Sequence, residues 1–198
     1  MSAPSASNRV RPVTLEDTVT TLPVPGLGVP RGIFVLADGT RLVSSSNEKI
    51  FVLLPSWGRL TTLAGNKDEV EELKDGEGIS TRFKDTSVLT VDRVGSVVVV
   101  DYGGNTIRKV TKAGSVVSTL TDNGETGFPD GQGTNTHFNR SHRVVVAANG
   151  DFIVSDCLNH LLRLVTPEGA VRTLVGNGQS GFVDGQGADT RSTRHLLS

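Results

Sequence analysis

The chain has 198 residues, 36% hydrophobic and 21% charged, which is typical of a folded globular protein and excludes a disordered tail. The formal net charge of −1 gives no general attraction to nucleic acid or to an anionic membrane. No apolar run reaches the roughly 18 residues that a membrane span requires. The single cysteine, Cys157, cannot form an internal disulfide, so we expect a reducing compartment and a cytoplasmic location.

The N-terminal residues 1–17 are predicted to be disordered. Residues 1–13 are rich in Ser and Ala, contain Arg9 and Arg11 without an acidic residue, and lack the apolar stretch of a secretory signal. Because this composition also resembles a transit peptide, import into an organelle stays open. The segment from Thr18 to Leu22 is predicted to form an extra strand, since Thr20-Thr21-Leu22 recurs as Thr61-Thr62-Leu63 further along the chain.

An Asp-Gly-x-Gly motif divides the rest of the chain into similar units. Its copies begin at Asp75, Asp130 and Asp184, which are 55 and 54 residues apart. A period of about 50 residues is typical of β-propeller blades or of long solenoid repeats. The chain therefore contains three repeats of one structural unit.

Each unit contains four short segments rich in Val, Ile and Thr, separated by glycine-centred turns, which predicts four antiparallel strands, here named a to d. No segment has a helical apolar stripe, so a solenoid of helix pairs is excluded. Asp38-Gly39 and Asn149-Gly150 predict type I′ hairpins between strands a and b, with positive φ at both central residues. The unbroken Val97–Val100 run is typical of a middle strand covered on both faces.

The predicted fold is therefore all-β, with three four-stranded antiparallel blades of an incomplete β-propeller and one extra N-terminal strand. The blades are expected at about residues 30–64, 86–121 and 142–175, within a propeller segment covering 18–198. The aborted start of a fourth blade is expected at 190–198. Three blades would leave the outer faces of the first and the last exposed and apolar, so two chains could form a homodimer that closes a six-bladed ring.

The turn between strands b and c carries a family signature. It reads Asp101-Tyr102-Gly103-Gly104-Asn105-Thr106-Ile107 before Arg108-Lys109-Val110-Thr111, and Asp156-Cys157-Leu158-Asn159-His160-Leu161 in the next repeat. This resembles the NHL repeat over about residues 30–190. The resemblance implies a propeller, commonly of six blades, that serves as a binding platform for protein or RNA, with a minority of related propellers acting as hydrolases or lyases. The first repeat departs from the pattern, with Ser44 in place of the Asp and Phe51 in place of the Arg.

The recurring polar residues are predicted to have structural roles. In Asp-Gly-x-Gly we expect the Asp to accept backbone N–H groups within its turn, Gly to supply positive φ, and the Phe that follows, Phe83 or Phe138, to fill the seam between blades. The carboxylates of Asp101 and Asp156 are expected to hydrogen-bond within the b–c turn. Cys157 and His160 have the spacing of half a zinc site, but the sequence has no second pair of ligands to complete it. No catalytic residue, metal site or cofactor is predicted.

The predicted function is a non-enzymatic binding or scaffold module for a protein partner. The b–c turns and d-to-a loops should share one end of the blades, the loop face, and loops 64–85, 121–140 and 175–195 together carry about −5 charges, which disfavours RNA. An RNA-binding NHL propeller and a metal-dependent hydrolase or lyase of the gluconolactonase type stay open as alternatives. The predicted partner-binding residues at the turn tips are Tyr102, Asn105, Leu158, Asn159 and His160.

Overall fold

The computed structural model of the chain describes residues 26–55, 60–66, 72–111, 115–121 and 125–191. It contains three antiparallel sheets. Blade 1 comprises β1 (Pro30–Val35), β2 (Arg41–Ser45), β3 (Lys49–Leu53) and β4 (Leu60–Ala64). Blade 2 comprises β5 (Gly76–Glu77), β6 (Thr86–Val91), β7 (Val97–Asp101), β8 (Thr106–Val110) and β9 (Val116–Thr121). Blade 3 comprises β10 (Gly131–Gln132), β11 (Arg143–Val146), β12 (Phe152–Asp156), β13 (Leu161–Val165) and β14 (Ala170–Val175).

The all-β fold class and the order of strands a to d are confirmed. Consecutive strands pair antiparallel within each blade, and the central strand β7 is buried along its whole length, as its run of valines predicts. The only helical elements in the described part of the chain are 3-10 turns of three residues. None of them is long and apolar enough to cross a membrane.

The a–b hairpins form where they were predicted, but the type I′ assignment is wrong. Positive φ occurs at Gly39 (80°) and Gly150 (99°) and not at the Asp38 and Asn149 before them. Gly39 instead donates its N–H to the carbonyl of Leu36 at 2.9 Å, which closes a turn in which only the last residue is left-handed. The Asp38 carboxylate accepts the N–H of Thr40 at 2.9 Å and stabilises this geometry.

Blades 2 and 3 each have a fifth strand that the sequence prediction of four-stranded blades missed. The Gly-x pair of the first and of the second Asp-Gly-x-Gly motif forms this two-residue strand, β5 or β10, along the outer edge of the blade that follows the motif. In blade 2, Gly76 lies opposite Val117, and in blade 3, Gly131 lies opposite Val171. Each of these d-to-a loops, here named the linking loops, therefore pairs with the outer strand of a blade before it continues into the inner strand of the same blade.

The hydrophobic core lies in the two seams between the blades. Phe83 is buried among side chains of blades 1 and 2, including Leu42 and Val99. Phe138 is fully buried in the second seam, where it contributes to a cluster with Val98 and Val154. The prediction that these two phenylalanines fill the seams is confirmed, and it places most of the burial energy between the sheets.

The two outermost sheet faces differ from the expectation that both are exposed. In blade 1, Val43, Phe51 and Leu53 are buried on the face away from blade 2, and Leu27 packs against the first two. In blade 3, the corresponding face carries Val145, which is 55% exposed. The expectation of an exposed apolar face is therefore wrong for much of blade 1 because its strands are covered there. Three predicted features, the disorder of 1–17, the strand from Thr18 to Leu22 and most of 190–198, lie outside the described residues.

Candidate functional site

The b–c turns and the d-to-a loops lie at the same end of the blades, so the predicted loop face exists. In blade 2, the N–H of Tyr102 in the b–c turn donates to the carbonyl of Asp85 in the linking loop at 2.9 Å. In blade 3, the N–H of Leu158 donates to the carbonyl of Asn139 at 3.1 Å. Each turn is thus attached to the loop that enters its own blade, which fixes the positions of the side chains at the turn tips.

A buried arginine lies beneath this face in blade 2. The Arg108 guanidinium has no exposed surface and stacks 5.2 Å from the centre of the Phe83 ring. It donates to Asp75 Oδ1 at 2.5 Å, and its other terminal nitrogen lies 3.6 Å from Asp101 Oδ2. Two backbone carbonyls of the linking loop accept its remaining hydrogen bonds. One cation therefore connects strand c, the end of strand b and the Asp-Gly-x-Gly motif.

Blade 3 has the same arrangement of a buried arginine and two aspartates, which is here named the clasp. Arg163 is also fully buried, lies over Phe138 and donates to Asp130 Oδ1 at 2.9 Å and to Asp156 Oδ2 at 3.2 Å. Burial raises the pKa of Asp156 to about 6, although the Asn159 side chain, a backbone N–H and the arginine all favour the charged form. Burial also raises the pKa of Asp101 in the first clasp.

The predicted partners of the motif aspartates are wrong in detail. Asp75 accepts hydrogen bonds from the N–H and the hydroxyl of Thr119 on strand d, and Asp130 accepts the same pair from Thr173. Neither interaction lies within the motif's own turn. The prediction of positive φ is confirmed for the second glycine of each motif, which has φ of 51°, 56° and 52° at Gly78, Gly133 and Gly187, respectively.

Asp101 and Asp156 also bind chiefly outside their own turns. Asp101 accepts the backbone N–H groups of Lys84 and Asp85, and Asp156 accepts that of Asn139. The predicted bonding within the turn is present as the additional contact from Asn159 to Asp156. Both carboxylates therefore attach strand b to the loop that enters the blade.

The described residues of blade 1 include no clasp, and the register corrects which residue replaces the aspartate. Ser45, and not Ser44, occupies the position of Asp101 and Asp156, because it pairs with the first residue of strand c. Its hydroxyl donates to the carbonyl of Leu27, in the segment that enters the blade. Phe51 takes the arginine position and packs against Leu27, so an apolar contact replaces the ion pair.

Two of the five predicted partner-binding residues are buried. Asn105 accepts the backbone N–H of Arg140 at 2.9 Å and so connects blade 2 to the loop that enters blade 3. Asn159 donates to Asp156 at 2.8 Å and also to the carbonyl of Gly127. These contacts give both side chains a positioning role, and any contribution to a partner would be indirect.

The other three predicted residues reach the surface to different extents. Leu158 is exposed, whereas Tyr102 and His160 are half-buried. His160 and Asn105 have the same left-handed backbone, each with φ of 56°, which ends the b–c turn. The Tyr102 ring contacts His142 edge-on, with the ring centroids 6.0 Å apart.

A second group of residues, which the sequence did not reveal, surrounds Tyr102. This rim cluster comprises Arg31, Asp85, Ser87, Tyr102, Arg140 and His142. All of them except Tyr102, which lies in the b–c turn of blade 2, come from the entry ends of the inner strands β1, β6 and β11. Strand β6 packs against both β1 and β11. Two cavities of about 180 and 240 Å³ adjoin at Asp85. The repeat pattern conceals this cluster because its residues differ from one repeat to the next.

The described residues hold no group of three or more His, Cys, Asp or Glu that could bind a metal ion. Cys157 is buried at the end of strand b and is in no disulfide, with its sulfur 3.7 Å from the carbonyl oxygen of Ser155.

No family model and no curated protein sequence matches the chain. Solved structures share its fold. An auxiliary nutrient binding protein from Bacteroides ovatus is 19% identical, with a TM-score of 0.67 over 89% of this chain and 43% of its own. A streptogramin B lyase is 12% identical, with a TM-score of 0.60 over 84% of this chain and 47% of its own. A putative gluconolactonase is 10% identical, with a TM-score of 0.60 over 84% and 55%.

The chain folds as propeller blades. It spans about half the length of the solved structures that it matches, between 43% and 55% of those three. At these identities the likeness is one of fold alone, and the matched structures include both enzymes and binding proteins.

Proposed function

We propose that the chain is a non-enzymatic binding module that presents its loop face to a protein partner. The observation that carries the proposal is the construction of that face. Buried clasps in blades 2 and 3 anchor the turns, whereas Leu158, Tyr102 and the rim cluster occupy accessible positions above them. A rigid support with varied side chains at its tips is the usual arrangement of a recognition surface.

The NHL repeat is the finer family assignment that we propose. The Asp-x-x-Asn-His turn of blade 3 supports it, because the Asn159 side chain donates to Asp156 and Asp156 binds Arg163, so the Asp and the Asn of the signature both have a structural use here. RNA binding and metal-dependent hydrolysis are the alternative functions. Neither has a specific observation in its favour among the described residues, which contain no metal-binding cluster.

Site-specific photocrosslinking in the source cells tests the proposal. A benzophenone amino acid replaces Leu158 on the loop face, and a matched variant carries it at Val94, which is 78% exposed in the a–b turn of blade 2 at the opposite end. We expect a discrete protein adduct from position 158 and none from position 94. Adducts from 94 alone, RNA adducts from 158, or no adduct at either position would contradict the proposal.

Metal analysis tests the enzyme alternative separately. We expect purified protein to contain no stoichiometric zinc or calcium and to hydrolyse neither lactones nor esters. One tightly bound metal ion per chain, together with turnover that a chelator abolishes, would favour the hydrolase function and overturn the binding-module proposal.

A further inference from the structure

The rim cluster is locally basic although the loops around it are acidic. Its two cavities are lined by Arg31, Lys84 and Arg140, with Asp85 and Glu48 as the acidic residues. Within the described part of the chain, Lys84 and Arg140 form no ion pair, and the Arg31 guanidinium lies 3.6 Å from Asp85. Exposed pairs of this kind are weak. Lys84 and Arg140 are both exposed, so at least two cations face solvent outside any salt bridge of the described residues.

Arg140 has a backbone conformation that the repeat itself does not require. Its φ is 54°, in the left-handed region that side-chain-bearing residues rarely adopt, whereas Asp85, the equivalent residue two positions after the seam phenylalanine, has no positive φ. Asn105 stabilises this conformation by accepting the Arg140 N–H at 2.9 Å. Strained conformations of this kind are concentrated at functional positions. The local structure thus fixes the direction of one particular arginine.

The side chain of Arg140 is also positioned. Its guanidinium carbon lies 4.8 Å from the centre of the Tyr102 ring, and His142 contacts the same ring edge-on with a centroid distance of 6.0 Å. Stacking on an aromatic face leaves the N–H groups of a guanidinium free along its edge. That edge matches the two oxygens of a carboxylate, which it can bind with two parallel hydrogen bonds.

We propose that the rim cluster binds an acidic segment of the protein partner, with Arg140 as the carboxylate-binding fork and Arg31 and Lys84 as flanking cations. This inference rests on the proposed function. A protein segment fits better than RNA because the basic area is small. Asp75 and Asp130, which lie toward the outer edges of blades 2 and 3, are about half exposed and would repel a polyanion that extended beyond the rim.

Fluorescence anisotropy with short labelled probes tests the inference. The probes are a hexaglutamate peptide, a hexalysine peptide and a six-nucleotide oligouridylate, each titrated with purified chain at low and physiological salt. Variants R140Q, which removes the charge, and R140K, which retains the charge without the fork, are compared with R172Q. Arg172 is an exposed arginine on strand d of blade 3, outside the cavities, and serves as the matched control.

We expect hexaglutamate to bind and hexalysine not to bind. R140Q should weaken hexaglutamate binding by at least about tenfold and R140K by a smaller factor, whereas R172Q should match the wild type. Oligouridylate binding as tight as hexaglutamate binding, no binding of hexaglutamate, or equal losses in R140Q and R172Q would each overturn the inference. If photocrosslinking at Leu158 still identifies a protein partner in those cases, the proposed function stands and only the acidic ligand class is wrong.

Discussion

At the scale of single residues, the two buried arginines explain why the motif aspartates recur. Taking a guanidinium out of water is costly unless carboxylates and carbonyls replace the lost hydration. Arg108 and Arg163 each receive two aspartates, two carbonyls and an aromatic ring, although Nε of each has no hydrogen-bond partner among the described residues. Removing one aspartate should therefore lower the stability of the fold, because it leaves the positive charge of the buried arginine without full compensation.

The Asp130→Ala variant should destabilise the folded chain by about 1–3 kcal/mol, because it removes the salt bridge to Arg163 and both hydrogen bonds from Thr173. Asp184→Ala is the matched control in the third copy of the motif. Asp184 is exposed and has no partner among the described residues, so its loss should change stability by less than about 0.5 kcal/mol. Urea unfolding of both variants measures the difference, and equal effects would contradict the structural role of the clasp.

Asp156 should make stability depend on pH. Its pKa of about 6 in the folded chain exceeds the ordinary value of 3.8, so the folded state binds the extra proton. The contribution of this group to stability should therefore increase by up to about 3 kcal/mol as pH falls from 7 to 4, and be lost as pH rises through 6.

The variant Asp156→Asn isolates this effect, because the amide does not titrate and keeps the size of the side chain. The free energy of unfolding of the wild type minus that of the variant should rise on acidification when both are measured by denaturant unfolding at several pH values. A difference that stays constant would show that folding does not shift the pKa of this carboxyl, and one that falls with acidification would show that folding lowers that pKa.

At the scale of strands and loops, the sequence predicts what is local and misses what is not. Strands a to d follow from runs of β-branched residues between glycines, and all four form in each of the three blades. The strands β5 and β10 contain two residues each, with glycine first, so they have no strand signal of their own. They form because Asp75 and Asp130 bind a strand more than 40 residues away.

The candidate site was predictable only in part, for a similar reason. Repetition identified the turn residues, but Asn105 and Asn159 proved to be buried supports. The rim cluster arises where three blades meet, from residues that are not repeated. Neither the left-handed backbone of Arg140 nor its stacking on Tyr102 leaves a pattern in the sequence.

The seam between blades 2 and 3 should depend strongly on Phe138. Replacing this fully buried residue by Ala should destabilise the chain by about 3–5 kcal/mol, because it leaves a cavity beneath Arg163 and removes the ring on which the guanidinium rests. The control, Phe182→Ala, changes a phenylalanine that is 74% exposed and should cost little. Thermal unfolding of the two variants compares them, and a small shift for Phe138→Ala would mean that the seam is not the main core.

At the scale of the whole molecule, the two ends of the blade array are unequal. The face of blade 1 away from blade 2 is covered at Val43 and Leu53, whereas that of blade 3 carries exposed Val145 beside half-buried Ile153 and Leu164. A contiguous apolar surface on a sheet face promotes association. Self-association should therefore proceed mainly through blade 3. In a closed homodimer, blade 1 would first have to lose the contacts that now cover its outer face.

We accordingly expect the chain to self-associate through blade 3. Light scattering after size exclusion should show a mass above that of one chain, with the excess growing with protein concentration. A Val145→Lys variant should shift the population toward the monomer, because it places a charge on the exposed apolar face without disturbing the seam residues Val144 and Val154 on the opposite side of the sheet. Val116→Lys, at a 44% exposed valine on strand d of blade 2, is the matched control and should leave the mass unchanged. A wild-type chain that stays monomeric and unfolds cooperatively at all concentrations would show that three blades are sufficient by themselves.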